Sequence, residues 1–139
     1  MSLQVIGEEQ FGELDKLHSL YKQEIGEEVP TETELISLHK AIQDKQITFF
    51  GFVKEGQLAG ICSVSKTFST FNYETAGVFE DFYILPKYRH QGIARQLAGY
   101  AYEQSKVGSM TVGCADCDVK MYQALGFTIP LGNLLAFDC

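Results

Sequence analysis

The run GVFEDFYIL at residues 77–85 is the feature that most limits the fold. It is rich in aromatic and aliphatic residues, which suits a strand, and Pro86 ends it. From about Gln91 to Lys106 the pattern changes. Ile93, Ala94, Leu97, Ala98 and Ala101 recur at helical spacing. MTVG, residues 110–113, then reads as a short strand. A strand, a helix and a strand in succession call for a sheet with helices packed on it.

Residues 3–6 read as a short strand, and Phe11, Leu14, Leu17, Tyr21 and Ile25 as one face of a helix ending at Gly26. Thr31 and Glu34 fit a capping box ahead of a helix with Leu35, Leu38 and Ile42 inward. ITFFGFV (47–53) and LAGICSVSKTF (58–68) are hairpin strands around Glu55-Gly56, and Ser69–Thr75 reads as a loop. A further helix should begin at Asp116 as N-cap and stop at Gly126, with Val119, Tyr122 and Leu125 inward. FTI and LLAFD are expected as two last strands. The order β-α-α-β-β-β-α-β-α-β-β mixes hairpins with strand–helix–strand units, so an α/β domain with a mixed sheet is expected over residues 1–139.

Lys and Arg total 11 and Asp and Glu 18, for a net charge of −7. That balance disfavours nucleic acid and anionic membranes as partners, and is compatible with a cationic substrate. No apolar run is long enough to span a bilayer, and MSLQVIGEEQ lacks the pattern of a secretory signal. The expectation is a soluble cytoplasmic protein with reduced thiols at Cys62, Cys114, Cys117 and Cys139. Cys114 and Cys117 form a CxxC, but no second ligand pair accompanies it, so no metal is expected.

Arg89-His90-Gln91-Gly92-Ile93-Ala94 lies where a strand gives way to a helix. The first-turn N–H groups of a helix lack internal partners and carry partial positive charge, so such an end binds phosphate. Gly92 removes a Cβ that would hold phosphate off the backbone, Ala94 keeps the next position small, and Arg89 adds a positive charge. This run resembles motif A, [QR]xxGx[GA], of the GNAT-type N-acetyltransferase superfamily. FYILPKYR resembles that family's fourth strand. MYQALGF resembles its Y-x-x-x-G-F signature, through Tyr122, Gly126 and Phe127.

The resemblance implies the single-domain acyl-CoA N-acyltransferase fold. Its sheet is mixed and mostly antiparallel, flanked by helices and splayed between the fourth and fifth strands. It implies acetyl-CoA as co-substrate, held by backbone groups of Phe82, Tyr83 and Ile84 and by amides of Arg89, His90, Gln91, Gly92, Ile93, Ala94 and Arg95. The family often has an Asn seven residues before the helix Tyr. This chain has Ala115 there, so that side-chain contact is missing.

Acetyl transfer to an amine needs a base to remove a proton and is helped by a donor for the leaving thiolate. The resemblance puts Tyr122 near the CoA sulfur as that donor. Glu80 and Asp81 lie mid-strand, where carboxylates are uncommon, and in a regular strand they point to opposite faces. Glu80 would then lie with Val78, Phe82 and Ile84, and Asp81 with Phe79, Tyr83 and Leu85. On a partly apolar face Glu80 should titrate high, which suits a base. FEDFY also resembles a strand of polyamine-type members of the superfamily, in which the Glu position is a base candidate. Glu80 is thus assigned as base and Asp81 as a group that positions the amine. His18 and His39 are expected at the surface, and His90 in the phosphate turn. The expected activity is transfer of acetyl from acetyl-CoA to a primary amine of a small molecule or peptide, with a homodimer left open. The alternatives are a non-catalytic acyl-CoA sensor and a CxxC redox or metal protein.

Overall fold

The computed structural model describes residues 2–138. Five strands form one sheet in the order β1 (Ser2–Val5), β2 (Ile47–Lys54), β3 (Gln57–Ser69), β4 (Glu74–Ile84), β5 (Ser109–Val112). The first four pair antiparallel, and β5 runs parallel to β4. Helices α1 (Phe11–Glu24), α2 (Glu32–Gln43), α3 (Ile93–Ser105) and α4 (Val119–Leu125) flank it. No described helix is long and apolar enough to cross a membrane.

The sheet is buried on both faces, and alternation along the strands sorts its side chains. Phe49, Leu58, Ile61 and Tyr83 pack with Leu14 and Leu17 of α1. Phe50, Phe52, Cys62, Val64, Phe79 and Ile84 pack with Ile93, Leu97, Ala98 and Ala101 of α3. Local sequence fixes the ends of these elements. Thr31 Oγ1 accepts from the Glu34 amide at 3.2 Å while Glu34 Oε1 accepts from the Thr31 amide at 2.9 Å, so the capping box forms. Glu55 and Gly56 both take positive φ (55° and 72°), as a tight hairpin turn of matching twist requires.

Several expectations need correction. FTI and LLAFD are not strands. Among the described residues nothing after Leu125 joins the sheet, and Ile129, Leu131, Leu134, Leu135 and Phe137 are exposed, Phe137 by 92%. Pro130 lacks an amide to donate, and a short hairpin with no buried face is marginal by itself. Asp116 opens a short 3-10 turn (Asp116–Asp118), and Asp118 stands at the start of α4. Val119 and Ile25, expected to face inward, are exposed (38% and 47%). Cys139 lies outside the described residues.

Leu97 is fully buried between α3 and the sheet, well inside the helix whose first turn matters below. Leu97→Ala should lower the unfolding free energy by about 2–5 kcal/mol. Urea titration would read this as a lower midpoint at unchanged slope.

Candidate active site

An extra residue in β4 organises the site. Glu80 stands opposite Ser63 and Tyr83 opposite Ile61, so Asp81 and Phe82 together face Cys62. Asp81 takes φ +54°, a left-handed value that asparagine and aspartate tolerate better than most side chains. This is a β-bulge, and it resets the alternation of the strand. Phe79 packs on the α3 face while Tyr83 packs on the α1 face. Glu80 shares the α1 face with its partner Ser63, and Asp81 points to that face too, where the Ser63 hydroxyl donates to Asp81 Oδ2 at 2.7 Å. The two carboxylates are therefore not on opposite faces as a regular strand requires. Nor does Glu80 lie with Phe82 and Ile84, which pack on the α3 side.

Helix α1 closes this cluster. His18 is only 8% exposed, and its Nδ1 lies 4.0 Å from Asp81 Oδ1. Burial lowers the imidazole pKa, an effect that Asp81 opposes. Tyr21 lies one turn on. Burial first, then the charges of Asp81, Glu27 and Glu80, push its phenol up to about 12. Glu80 titrates above its ordinary range, through partial burial and then the adjacent Asp81 charge, as expected for it. His18 was expected at the surface and is instead buried, Tyr21 was read only as part of the helix face, and Ser63 was not singled out. The spacing Leu14, Leu17/His18, Tyr21 already places His18 on the inward stripe of the helix, so periodicity was the available signal. His39 is half-buried, stacked on Phe11 at 4.4 Å and bonded to Asp15 at 2.7 Å.

The sheet opens beside the cluster. The β4–β5 pairing covers only Ala76–Phe79 against Ser109–Val112, and beyond it the strands part. Phe82, Tyr83 and Ile84 lie along β4 in that opened stretch. The chain then passes through the turn Pro86–Tyr88, and His90 (φ +63°) and Gly92 (φ +80°) bend it into α3, which starts at Ile93 rather than Gln91. The first-turn amides of α3 have no partner within the helix. The residues present suit a pyrophosphate. A Cβ on Gly92 would meet only the Gln96 side chain at 4.0 Å, so glycine is needed for its left-handed φ rather than for space within the protein. Arg89 folds back, donating to Ile84 O (2.8 Å) and to Glu24 (2.7 Å), so its charge is shared with α1. Arg95 donates to Ala124 O at 2.8 Å and ties α3 to α4, and Gln91 is held by Lys54 at 2.9 Å. His90 is exposed in the bend.

Helix α4 brings Tyr122 over the opening. Its ring packs edge-on against Phe82 (6.3 Å between centroids) and Phe127 (6.1 Å). Burial first, then Tyr21, Asp118 and Cys114, raises its phenol to about 12, so it stays protonated at neutral pH. Cys114 and Cys117 are exposed free thiols, and among the described residues no group of three or more His, Cys, Asp or Glu could hold a metal ion.

A sheet parted between its fourth and fifth strands, with a glycine turn leading into the next helix, agrees with one family above all. The family described as the acetyltransferase (GNAT) domain matches residues 45–129. The chain belongs to this family. Solved structures of the same fold include a probable acetyltransferase (20% identity, TM-score 0.83, 99% of each chain covered). A predicted acetyltransferase from Clostridium acetobutylicum, solved with acetyl-CoA, has 12% identity and TM-score 0.81, with 99% of this chain and 95% of that one covered. An aminoglycoside acetyltransferase from an uncultured soil metagenomic sample, in complex with sisomicin, gives the same four values. At such identities the likeness concerns the fold. No curated protein matches the chain.

The left-handed cap yields an expectation for the GNAT turn. Any side chain at Gly92 adds about 1–2 kcal/mol of strain at φ +80°. If relief of that strain moves the amides, Gly92→Ala lowers CoA affinity about tenfold. Calorimetric titration with CoA checks it; unchanged affinity would detach the turn from CoA binding.

Proposed function

We propose that the protein moves the acetyl group of acetyl-CoA to a primary amine by direct attack in a ternary complex, and that the favoured amine is cationic. The observation that carries this is the bulge at Asp81, which sets two carboxylates on one face beside the parted strands. Acyl-CoA binding alone would not need a raised Glu80 next to a second carboxylate. The aminoglycoside acetyltransferase of the same fold, solved in complex with sisomicin, is in keeping with an amine acceptor.

In this reading backbone groups of Phe82, Tyr83 and Ile84 pair with the pantetheine arm, as an added strand would. Amides of Arg89 to Arg95 hold the pyrophosphate. Asp81, steadied by Ser63, orients the incoming ammonium. Glu80 takes a proton from it, directly or through water. The freed lone pair attacks the thioester carbonyl, and the carbon–sulfur bond breaks as the intermediate collapses. Tyr122 gives its phenolic proton to the leaving thiolate and regains one from the nitrogen as the amide forms. One proton per turnover is left over, on Glu80, and returns to solvent.

The sign of the pH dependence follows from Glu80. A base must be ionised, so the rate falls as pH drops through a pKa lying above the usual glutamate value. Glu80→Gln should lower turnover by roughly 10²–10⁴-fold and remove that acidic limb, at unchanged CoA affinity. Thiol release followed across pH with an amine acceptor reads this. A variant within a few-fold of wild type would pass the role of base to Asp81 or to water.

Tyr122→Phe keeps the ring that packs on Phe82 and Phe127 and deletes only the hydroxyl. Turnover should drop while melting temperature and CoA affinity stay at wild-type values. Unchanged turnover with lost stability would make the hydroxyl structural and leave the thiolate to be protonated by water.

A further inference from the structure

The buried imidazole of His18 has no part in the mechanism above, and its Nδ1 has no hydrogen-bond partner. An apolar side chain would fill that place without leaving a polar atom unsatisfied, since the ring already packs against Phe49 (6.1 Å) and Tyr21 (6.2 Å). What the nitrogen does face is Asp81 Oδ1, at 4.0 Å. That is too long for a hydrogen bond and short enough for a small side-chain rotation to make one. The other oxygen of Asp81 is fixed by the Ser63 hydroxyl at 2.7 Å, so Oδ1 is the free one.

We propose that His18 is a positioning residue for Asp81. When the imidazole is neutral, with its proton on Nε2, Oδ1 is left to the acceptor's ammonium; when it is protonated, Nδ1–H⁺ takes Oδ1 and competes with the acceptor. This rests on the reading of Asp81 as the group that receives the ammonium. The surroundings fit a neutral resting state. Burial works against the charged ring, and so does Lys22 on the same helix, while Asp81 from β4 and Asp15 from α1 work for it. The Phe49 ring of β2 and the Tyr21 ring of α1 pack against it, and β3 offers the Ser63 hydroxyl, already engaged. Protonation therefore has one oxygen to pair with, and it is the one the substrate needs. Lowering the pH would raise the acceptor KM through the imidazole and lower kcat through Glu80, because the imidazole acts on binding and Glu80 on the chemical step.

Two measurements separate this inference from the reading beneath it. The first needs no substrate. NMR of the imidazole in the free protein should show His18 titrating below an ordinary histidine, and Asp81→Asn should lower its midpoint further by about one pH unit or more, as loss of an adjacent opposite charge does. An unmoved midpoint overturns the pairing, whatever the enzyme acetylates. The second follows acceptor KM and kcat across pH with a primary diamine and acetyl-CoA. His18→Phe should abolish the acidic rise in KM while the kcat limb persists. His18→Asn, whose amide N–H sits where Nδ1 does, should raise the KM at every pH because it donates permanently. If His18→Phe retains the wild-type KM profile, the positioning role is wrong. CoA affinity and melting temperature report folding in each variant. If no amine is acetylated at all, the reading of the reaction fails while the NMR result still decides the His18–Asp81 pair.

Discussion

The site depends on one surplus residue in β4. Without the bulge, Glu80 and Asp81 would straddle the sheet, one under α1 and the other under α3. With Asp81 at φ +54° both turn toward α1, and the strand beyond them is re-phased so that Phe82 and Ile84 enter the α3-side core. The left-handed backbone and the crowding of two carboxylates are both unfavourable by themselves. They persist because the flanking pairs are well made: β3 and β4 are matched residue for residue from Ser63–Glu80 to Ser69–Glu74, and again at Gly60–Ile84 and Ile61–Tyr83.

The same strand serves two purposes. Up to Phe79 it is an interior strand, paired on both sides, and the core is built on it. Past Phe79 it loses β5 and becomes an edge. Because the loss coincides with the bulge, the carboxylates and the exposed backbone lie together. α1 then supplies Tyr21 beside His18, and α4 supplies Tyr122 against Phe82. Arg89 ties the end of β4 to α1 through Glu24, and Arg95 ties α3 to α4 through Ala124, so the four elements that frame the site are joined in pairs by hydrogen bonds.

Most of the fold could be read from local pattern. Helical spacing found α1 to α4, the Thr31–Glu34 box and Gly126 marked ends, and Pro86 closed β4. The failures share a cause, which is that periodicity reports what could be buried and not what is. FTI and LLAFD have strand composition but pair with no strand among the described residues, and Val119 has helical phase but is exposed. The glycine turn was legible because it depends on backbone conformation at Gly92. The face of Asp81 was not, because a bulge is set by register against β3, a relation between distant segments. His18 was misplaced as a surface residue although its spacing from Leu14 pointed inward, since polarity was weighed over phase.

The central claim is that the paired carboxylates beside the opening serve acetyl transfer to a cationic amine. Mass measurement of products formed from acetyl-CoA tests it most directly, using a panel of polyamines, aminoglycosides, amino acids and peptide N-termini, with neutral hydroxyl compounds of similar size alongside. The account predicts an N-acetylated product, with cationic amines the best acceptors and the hydroxyl compounds inert. Acetylation of hydroxyl compounds in preference to amines, or acetyl-CoA bound tightly with no acceptor consumed, would contradict it.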